Sequence, residues 1–279
     1  MNFVTDFIQY DFLLYALIGS ILLALSAGPI SPLIIAKRQA FMGSAVSHST
    51  LLGLALSLLV FTPEQSIALF FSTLFFTLLL TSILARQSFE DKLPEESFIG
   101  IFYTVTMALG ILIYSLKSDA KGDLMSFLFG NVLMLSSQDI LLALIPAVLS
   151  LIVMLKLWRH WSYWAFDSEG AQVSGHPVKM WHYLFYFLQT LVIVSGLKLV
   201  GIILIQAYLL IPGHFALKVS KDLKSTYMNS ILFALITSIF GLFLSNAMEW
   251  PAGATLTIVQ FVALLIATLI RNTQKRNLP

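Results

Sequence analysis

The sequence contains no cysteine, which excludes disulfides and thiolate metal sites. Charge is scarce as well. Asp, Glu, Lys and Arg make up 11% of the 279 residues, against about 25% in soluble proteins. A water-soluble domain of this length needs more polar surface. The net charge of +2 is too small to point to nucleic acid. There is no GxxxxGK[ST] phosphate loop and no polar stretch long enough for an ATP-binding domain. The opening MNFVTDFIQYD has neither a basic n-region nor a small-residue cleavage site, and reads as a mature start rather than a signal peptide. The alternation of a membrane barrel, every second residue over segments of about ten, is missing too.

What the chain has instead is apolar runs, with 58% of residues hydrophobic. Runs of roughly membrane length fall at about 12–36, 43–61, 66–85, 97–116, 138–157, 179–197, 199–217, 225–247 and 253–270. They predict an all-α, polytopic transmembrane helical bundle of eight or nine spans, forming a single domain over residues 1–279. Two places leave the count open. The break at Leu197–Gly201 is very short, so 179–217 reads either as two spans or as a span plus a half-helix. The stretch LMSFLFGNVLML, Leu124–Leu135, is too short to cross and reads as re-entrant or interfacial.

Lysine and arginine set the orientation. Lys37, Arg38, Arg86, Lys92, Lys156, Arg159, Lys179, Lys218, Lys221, Lys224, Arg271, Lys275 and Arg276 mark breaks expected on the cytoplasmic side. The breaks TPEQ and NAMEWPAG carry no basic residue and are expected outside. Nine spans then put the N-terminus outside and the C-terminus inside. Lys117 and Lys121 fall on the external side, offset by Asp119 and Asp123.

The longest polar segment, residues 158–183, lies on the cytoplasmic side. Within it, Asp167 is placed to cap a short helix, with Glu169 in the first turn and Gly175 and Pro177 ending it. Such a helix can dock a soluble partner. Composition alone favours an interfacial loop whose aromatics sit at headgroup depth. His160, His176 and His182 lack the spacing that puts two imidazoles on one helix face, and read as interfacial or solvated.

Polar residues inside the spans are few. Ser44 and His48 are four apart and share a helix face. A histidine within a span faces the bundle interior and needs a partner, and a neutral imidazole is a metal ligand. A structural histidine bonded to a carbonyl or hydroxyl is the competing reading. Pro212 and Gly213 are expected to kink a later span and free backbone carbonyls beside His214. His48 and His214 both lie within a few turns of cytoplasmic basic residues, at comparable depth. Gln189 and Gln206 read as bonds between helices, and Lys198 as a snorkelling lysine.

Five motifs in order resemble the membrane permease of bacterial zinc and manganese ABC importers, the ABC-3 family, nearly end to end. MGSAVSH (Met42–His48) is similar to the family's MGDAISH. LFGNVL (Leu128–Leu133) resembles LFG-(D/N)-I-L. FDSEGAQVSGHP (Phe166–Pro177) resembles FD-E-A---G-P, with the alanine one residue later, at Ala171. LKLVGIILIQAYLLIPGH (Leu197–His214) resembles LKVVGVLLVSALLIIPAA, and WPAGAT (Trp250–Thr255) resembles PPGAT. The resemblance implies that Phe166, Asp167, Glu169, Ala171, Gly175 and Pro177 belong to a coupling helix that docks on an ATPase subunit. It implies ATP-binding cassette subunits, an extracytoplasmic metal-binding protein and a second permease copy as partners, in a bacterial cytoplasmic membrane. It also implies that the second motif segment lines the metal path, and Gly43, Pro212 and Gly213 are expected as path or hinge residues. The family's acidic residue is Ser44 here, and His214 is added. A path built on His48, His214 and Ser44, rich in imidazole and poor in carboxylate, favours zinc over manganese.

The expected function is therefore a transport subunit with no catalysis of its own and no resident cofactor, passing a divalent metal while ATP is used by a partner. The alternative is an ion-coupled secondary transporter, which wants membrane carboxylates or internal repeats; the span interiors have almost no Asp or Glu. A membrane enzyme is the third class, without an HExxH motif or carboxylate cluster to support it.

Overall fold

The computed structural model describes residues 10–90, 95–116 and 135–276. Among these, every regular element is a helix: α1 (Asp11–Ala27), α2 (Ser31–Ala36), α3 (Ala40–Leu58), α4 (Ser66–Glu90), α5 (Glu95–Ser115), α6 (Ser137–Phe166), α7 (Ser168–Val173), α8 (Val178–Val219), α9 (Leu223–Met248) and α10 (Ala252–Arg276). Helices are what such a sequence must form in lipid, because each backbone N–H and C=O needs a partner within its own segment. Seven of them, α3, α4, α5, α6, α8, α9 and α10, are long and apolar enough to cross a membrane; α1 is a shorter apolar helix of 17 residues. The all-helical membrane bundle expected from the sequence is met. LFGNVL, Lys92, Lys117, Asp119, Lys121 and Asp123 lie outside the described residues, as does all but the last residue of the 124–135 stretch.

Helix ends follow local chemistry. Ser136 and Asp139 form a capping box at the start of α6: the Ser136 hydroxyl accepts from Asp139 N, and the Asp139 carboxylate accepts from Ser136 N. Asp222 and Ser225 do the same for α9. Glu249, in the left-handed region at φ 55°, ends α9, and Pro251 starts the turn into α10.

The 42 residues of α8 form two helical arms, 178–200 and 202–219, separated by Gly201 at φ 77°, ψ 174°. This region is open to glycine alone. The chain folds back there. In a straight helix, residues nine apart are about 13.5 Å apart along the axis, yet a Cβ on Gly196 would lie 2.5 Å from Ile205 Cδ1. Gln189 and Gln206, one from each arm, likewise both approach Gly43. The short break at Leu197–Gly201 is thus the tip of a helical hairpin. Lys198 at this tip is not simply snorkelling: its Nζ lies 2.5 Å from Asp139 Oδ1.

The hairpin and α3 form the buried centre, and the remaining long helices expose much of their surface. Glycines set the close crossings. A Cβ on Gly53 would strike Thr77 of α4, and one on Gly110 would meet the backbone of Leu52 in α3. Apolar side chains gain little by leaving lipid for protein, so close backbone packing through small residues holds such bundles together.

Candidate functional site

Ser44 and His48, one turn apart on α3, line a recess of about 440 Å³ with Phe41 and, from α5, Ile99, Gly100 and Tyr103. Gly100 presents no side chain and leaves open space. The His48 ring lies 5.3 Å from the Tyr103 ring, tilted by 36°. His48 Nδ1 is buried and makes no hydrogen bond. The structural role weighed for this histidine, a bond to a carbonyl or hydroxyl, therefore does not account for that nitrogen. The recess sits on the outer face of the chain, beside exposed Phe41.

The adjacent face of α3 meets the hairpin. Gln206 Nε2 donates to Gly43 O (3.0 Å) and Ser47 Oγ (2.6 Å), while Ser44 Oγ donates to Gln206 Oε1 (3.3 Å). The interhelical role read for Gln206 is met. Gln189 differs. It is fully buried, and neither end of its amide is bonded. Gly43 leaves room for both glutamines; a Cβ there would sit 3.2 Å from Gln189 Nε2 and 3.7 Å from Gln206 Oε1.

Pro212 and Gly213 sit where α8 crosses α2. The Ser31 hydroxyl donates to Leu209 O (2.8 Å) and accepts from Gly213 N (2.7 Å). These are the acceptor and donor of one helical rung, so a side chain from α2 enters the ladder at the proline. His214, the next residue, is exposed and does not line the His48 recess. No contact between His214 and His48 is present among the described residues, where no three His, Asp or Glu side chains come together as a metal site.

The segment after α6 folds as its residues suggest. Asp167 caps α7, its Oδ1 accepting from Gly170 N at 2.8 Å, with Glu169 in the first turn and Ala171 fully buried. Gly175 takes φ 78°, and Pro177 stands at the start of α8. Phe166 and Val173 are exposed. Beside α7 lies a groove of about 420 Å³ whose lining includes Lys37, Gln39, Glu169 and His182. His182 departs from the solvated reading: it is 4% exposed, and its Nε2 bonds to Ala85 O at 2.8 Å. His160 and His176 pack edge to face with each other, and each ring lies tilted against Trp181. The sequence signal missed for His182 is its aromatic setting, Trp181 to Tyr186, which marks a packed helix end.

The ABC 3 transport family matches residues 9–271 of this helical chain. The chain belongs to that family. It is 32% identical to the "Manganese import system permease protein ScaB" of Streptococcus parasanguinis over 278 residues, covering 98% of this chain and 97% of the relative. It is 30% identical to a "Probable iron transport system membrane protein" of Haemophilus influenzae, covering 93% and 94%. Among solved structures, a chain of "PsaBC from Streptococcus pneumoniae in complex with Fab" superposes with a TM-score of 0.84 at 29% identity, covering 95% of this chain and 94% of that one. The resemblance carried by the five motifs is met: this is a multi-pass membrane permease of the ABC type.

Proposed function

We propose that the chain is the permease subunit of an ATP-driven importer of divalent transition metals in a bacterial cytoplasmic membrane. The observation that carries this reading is the Ser44–His48 recess. It holds an imidazole nitrogen with no partner, at span depth, on the outer face of a chain of this family. A histidine and a serine facing lipid would be costly. A second copy facing the first would cover the recess and bring a second His48 toward it, so the path lies between two permeases, in keeping with the incomplete ligand set among the described residues of one chain. Such a path binds weakly enough to release its ion.

Counting α1 with α2 as one crossing and each arm of α8 as another gives nine, with the N-terminus outside. This agrees with the lysine and arginine distribution. The α7 segment is the coupling helix. Its exposed Phe166 and Val173, outside the apolar belt and beside the Lys37–Glu169 groove, suit docking to an ATPase subunit. An external binding protein delivers the metal, and the permease has no catalytic chemistry of its own. The relatives' names point to manganese and iron, whereas an imidazole in a recess lined by no carboxylate favours zinc; zinc and manganese both belong in the test. An ion-coupled transporter is not favoured, because Asp139, the acidic residue buried in the bundle among the described residues, is already paired with Lys198.

The test is metal-stimulated ATP hydrolysis in proteoliposomes holding permease, ATPase and binding protein, offered zinc or manganese. Stimulation by either metal, lost in His48→Ala at normal protein levels, supports the reading. Stimulation that survives the substitution removes His48 from the path. Greater stimulation by manganese than by zinc overturns the zinc preference.

A further inference from the structure

Ser44 belongs both to the recess and to the contact with the hairpin, and its proton can be assigned. Gln206 Nε2 faces the Gly43 carbonyl oxygen. A flipped amide would set two acceptors against each other, so the amide has one orientation. Gln206 Oε1 then faces Ser44 Oγ, and the serine must be the donor. Its helical neighbours behave differently. Ser47, Ser49 and Thr50 give their protons to carbonyls three or four residues back in α3. Ser44 gives its proton across to α8, so its lone pairs are left for the recess. The amide that accepts this proton is itself held by two further bonds, to Gly43 and Ser47.

We propose that Gln206 is a positioning residue for the metal path. It holds the Ser44 hydroxyl as a pre-oriented neutral oxygen donor beside His48, and so raises the path's affinity for oxygen-preferring metals such as manganese relative to zinc. A cation drawing on the Ser44 oxygen polarises its O–H, and the hydrogen bond to Gln206 strengthens in response. An unheld serine would have to give up its own rotational freedom on meeting the ion. Oxygen donors matter more to manganese than to zinc, which is served well by imidazole. The inference rests on the reading of the recess as the ion path.

The experiment is equilibrium dialysis of radiolabelled Mn²⁺ and Zn²⁺ against the full permease–ATPase complex in lipid nanodiscs. The variants are Gln206→Met, Ser44→Ala, the double substitution, Gln206→Glu and His48→Ala. Gln206→Met should weaken manganese binding by up to about tenfold, the scale of one hydrogen bond, and zinc binding less. In the Ser44→Ala background it should add nothing further, because it acts through Ser44. Gln206→Glu keeps an acceptor for Ser44 and should retain manganese binding. Three results would overturn the inference: an equal loss in both backgrounds, an unchanged manganese-to-zinc ratio, or a Gln206→Glu protein that behaves like Gln206→Met. If His48→Ala and Ser44→Ala both bind as wild type, the recess is not the path and the broader reading fails with it. If His48→Ala loses binding while Gln206→Met does not, only the role of Gln206 is lost.

Discussion

Lys198 Nζ lies 2.5 Å from Asp139 Oδ1, tying the tip of the α8 hairpin to the first turn of α6. The two ends are unequal. Asp139 is 6% exposed and Lys198 40%. Replacing Lys198 with methionine leaves a buried carboxylate supported only by its Ser136 bonds. The loss should be about 1–3 kcal/mol, below that of a fully buried pair because Lys198 is partly solvated. Tryptophan-fluorescence melting in detergent would read it, and Lys198→Met with Asp139→Asn should lose less than the sum of the single variants.

Gly201→Ala should be among the most damaging single methyl additions. The φ of 77° with ψ of 174° is a conformation that side chains avoid, at about 1–3 kcal/mol. Lower melting temperature and reduced membrane yield are expected. A stability equal to wild type would mean that the tip can relax to ordinary dihedrals.

Gly213→Ala should disrupt the α2–α8 crossing. Its Cβ would lie 2.4 Å from the Ser31 carbonyl carbon, which is backbone and cannot swing away. Gly43→Ala should be milder, because its nearest neighbour is the Gln189 side chain at 3.2 Å. The ranking of the two melting temperatures checks this, and Ser31→Ala should share part of the Gly213 defect by losing both rung contacts.

Gln189→Leu should leave stability unchanged or raise it. The amide is fully buried with both ends unbonded, and a lone buried polar group costs about 1–3 kcal/mol. A clear loss of stability on this substitution would show that the amide has a partner in the assembled protein.

The start of α9 should loosen in acid. The Ser225 backbone N–H, donating to Asp222, holds that carboxyl below the usual carboxylate range, aided by the Ser225 side chain. A depressed carboxyl stabilises the fold at pH above its ordinary value. That contribution is lost as pH falls through its lowered folded value, so the window lies below the usual carboxylate range. Hydrogen exchange at residues 223–226 should rise there in wild type, and be already raised at neutral pH in Asp222→Ala.

The sequence carries most of the architecture. Long apolar runs dictate helices because lipid offers the backbone no partners, and the caps at Asp167, Ser136 and Asp222 act at short range. The hairpin was half legible: Gly201 stood in a short break, but a turn on a single residue and a helix continuing past a glycine look alike in one dimension. The site was legible at α3, where Ser44 and His48 share a face by spacing alone. Its partners were not. Gln206, Gln189 and Tyr103 arrive from α8 and α5, and the Lys198–Asp139 ion pair joins residues far apart in the chain. Nothing local in the sequence tells a bonded glutamine from an unbonded one. His182 shows the reverse error, a polar letter read as solvated that tertiary packing buried.

Gly201 also fixes a parity. In the nine-crossing arrangement proposed above, the segments after it descend, rise and descend again, and Lys218, Lys221 and Lys224 share a side with Lys37 and Arg38. Were that residue to continue the helix, every later segment would be mirrored across the bilayer. The chain would finish on the opposite face, with its basic loop stranded against the voltage. In that arrangement, one dihedral pair in the middle of a buried helix decides the compartment seen by every segment that follows it.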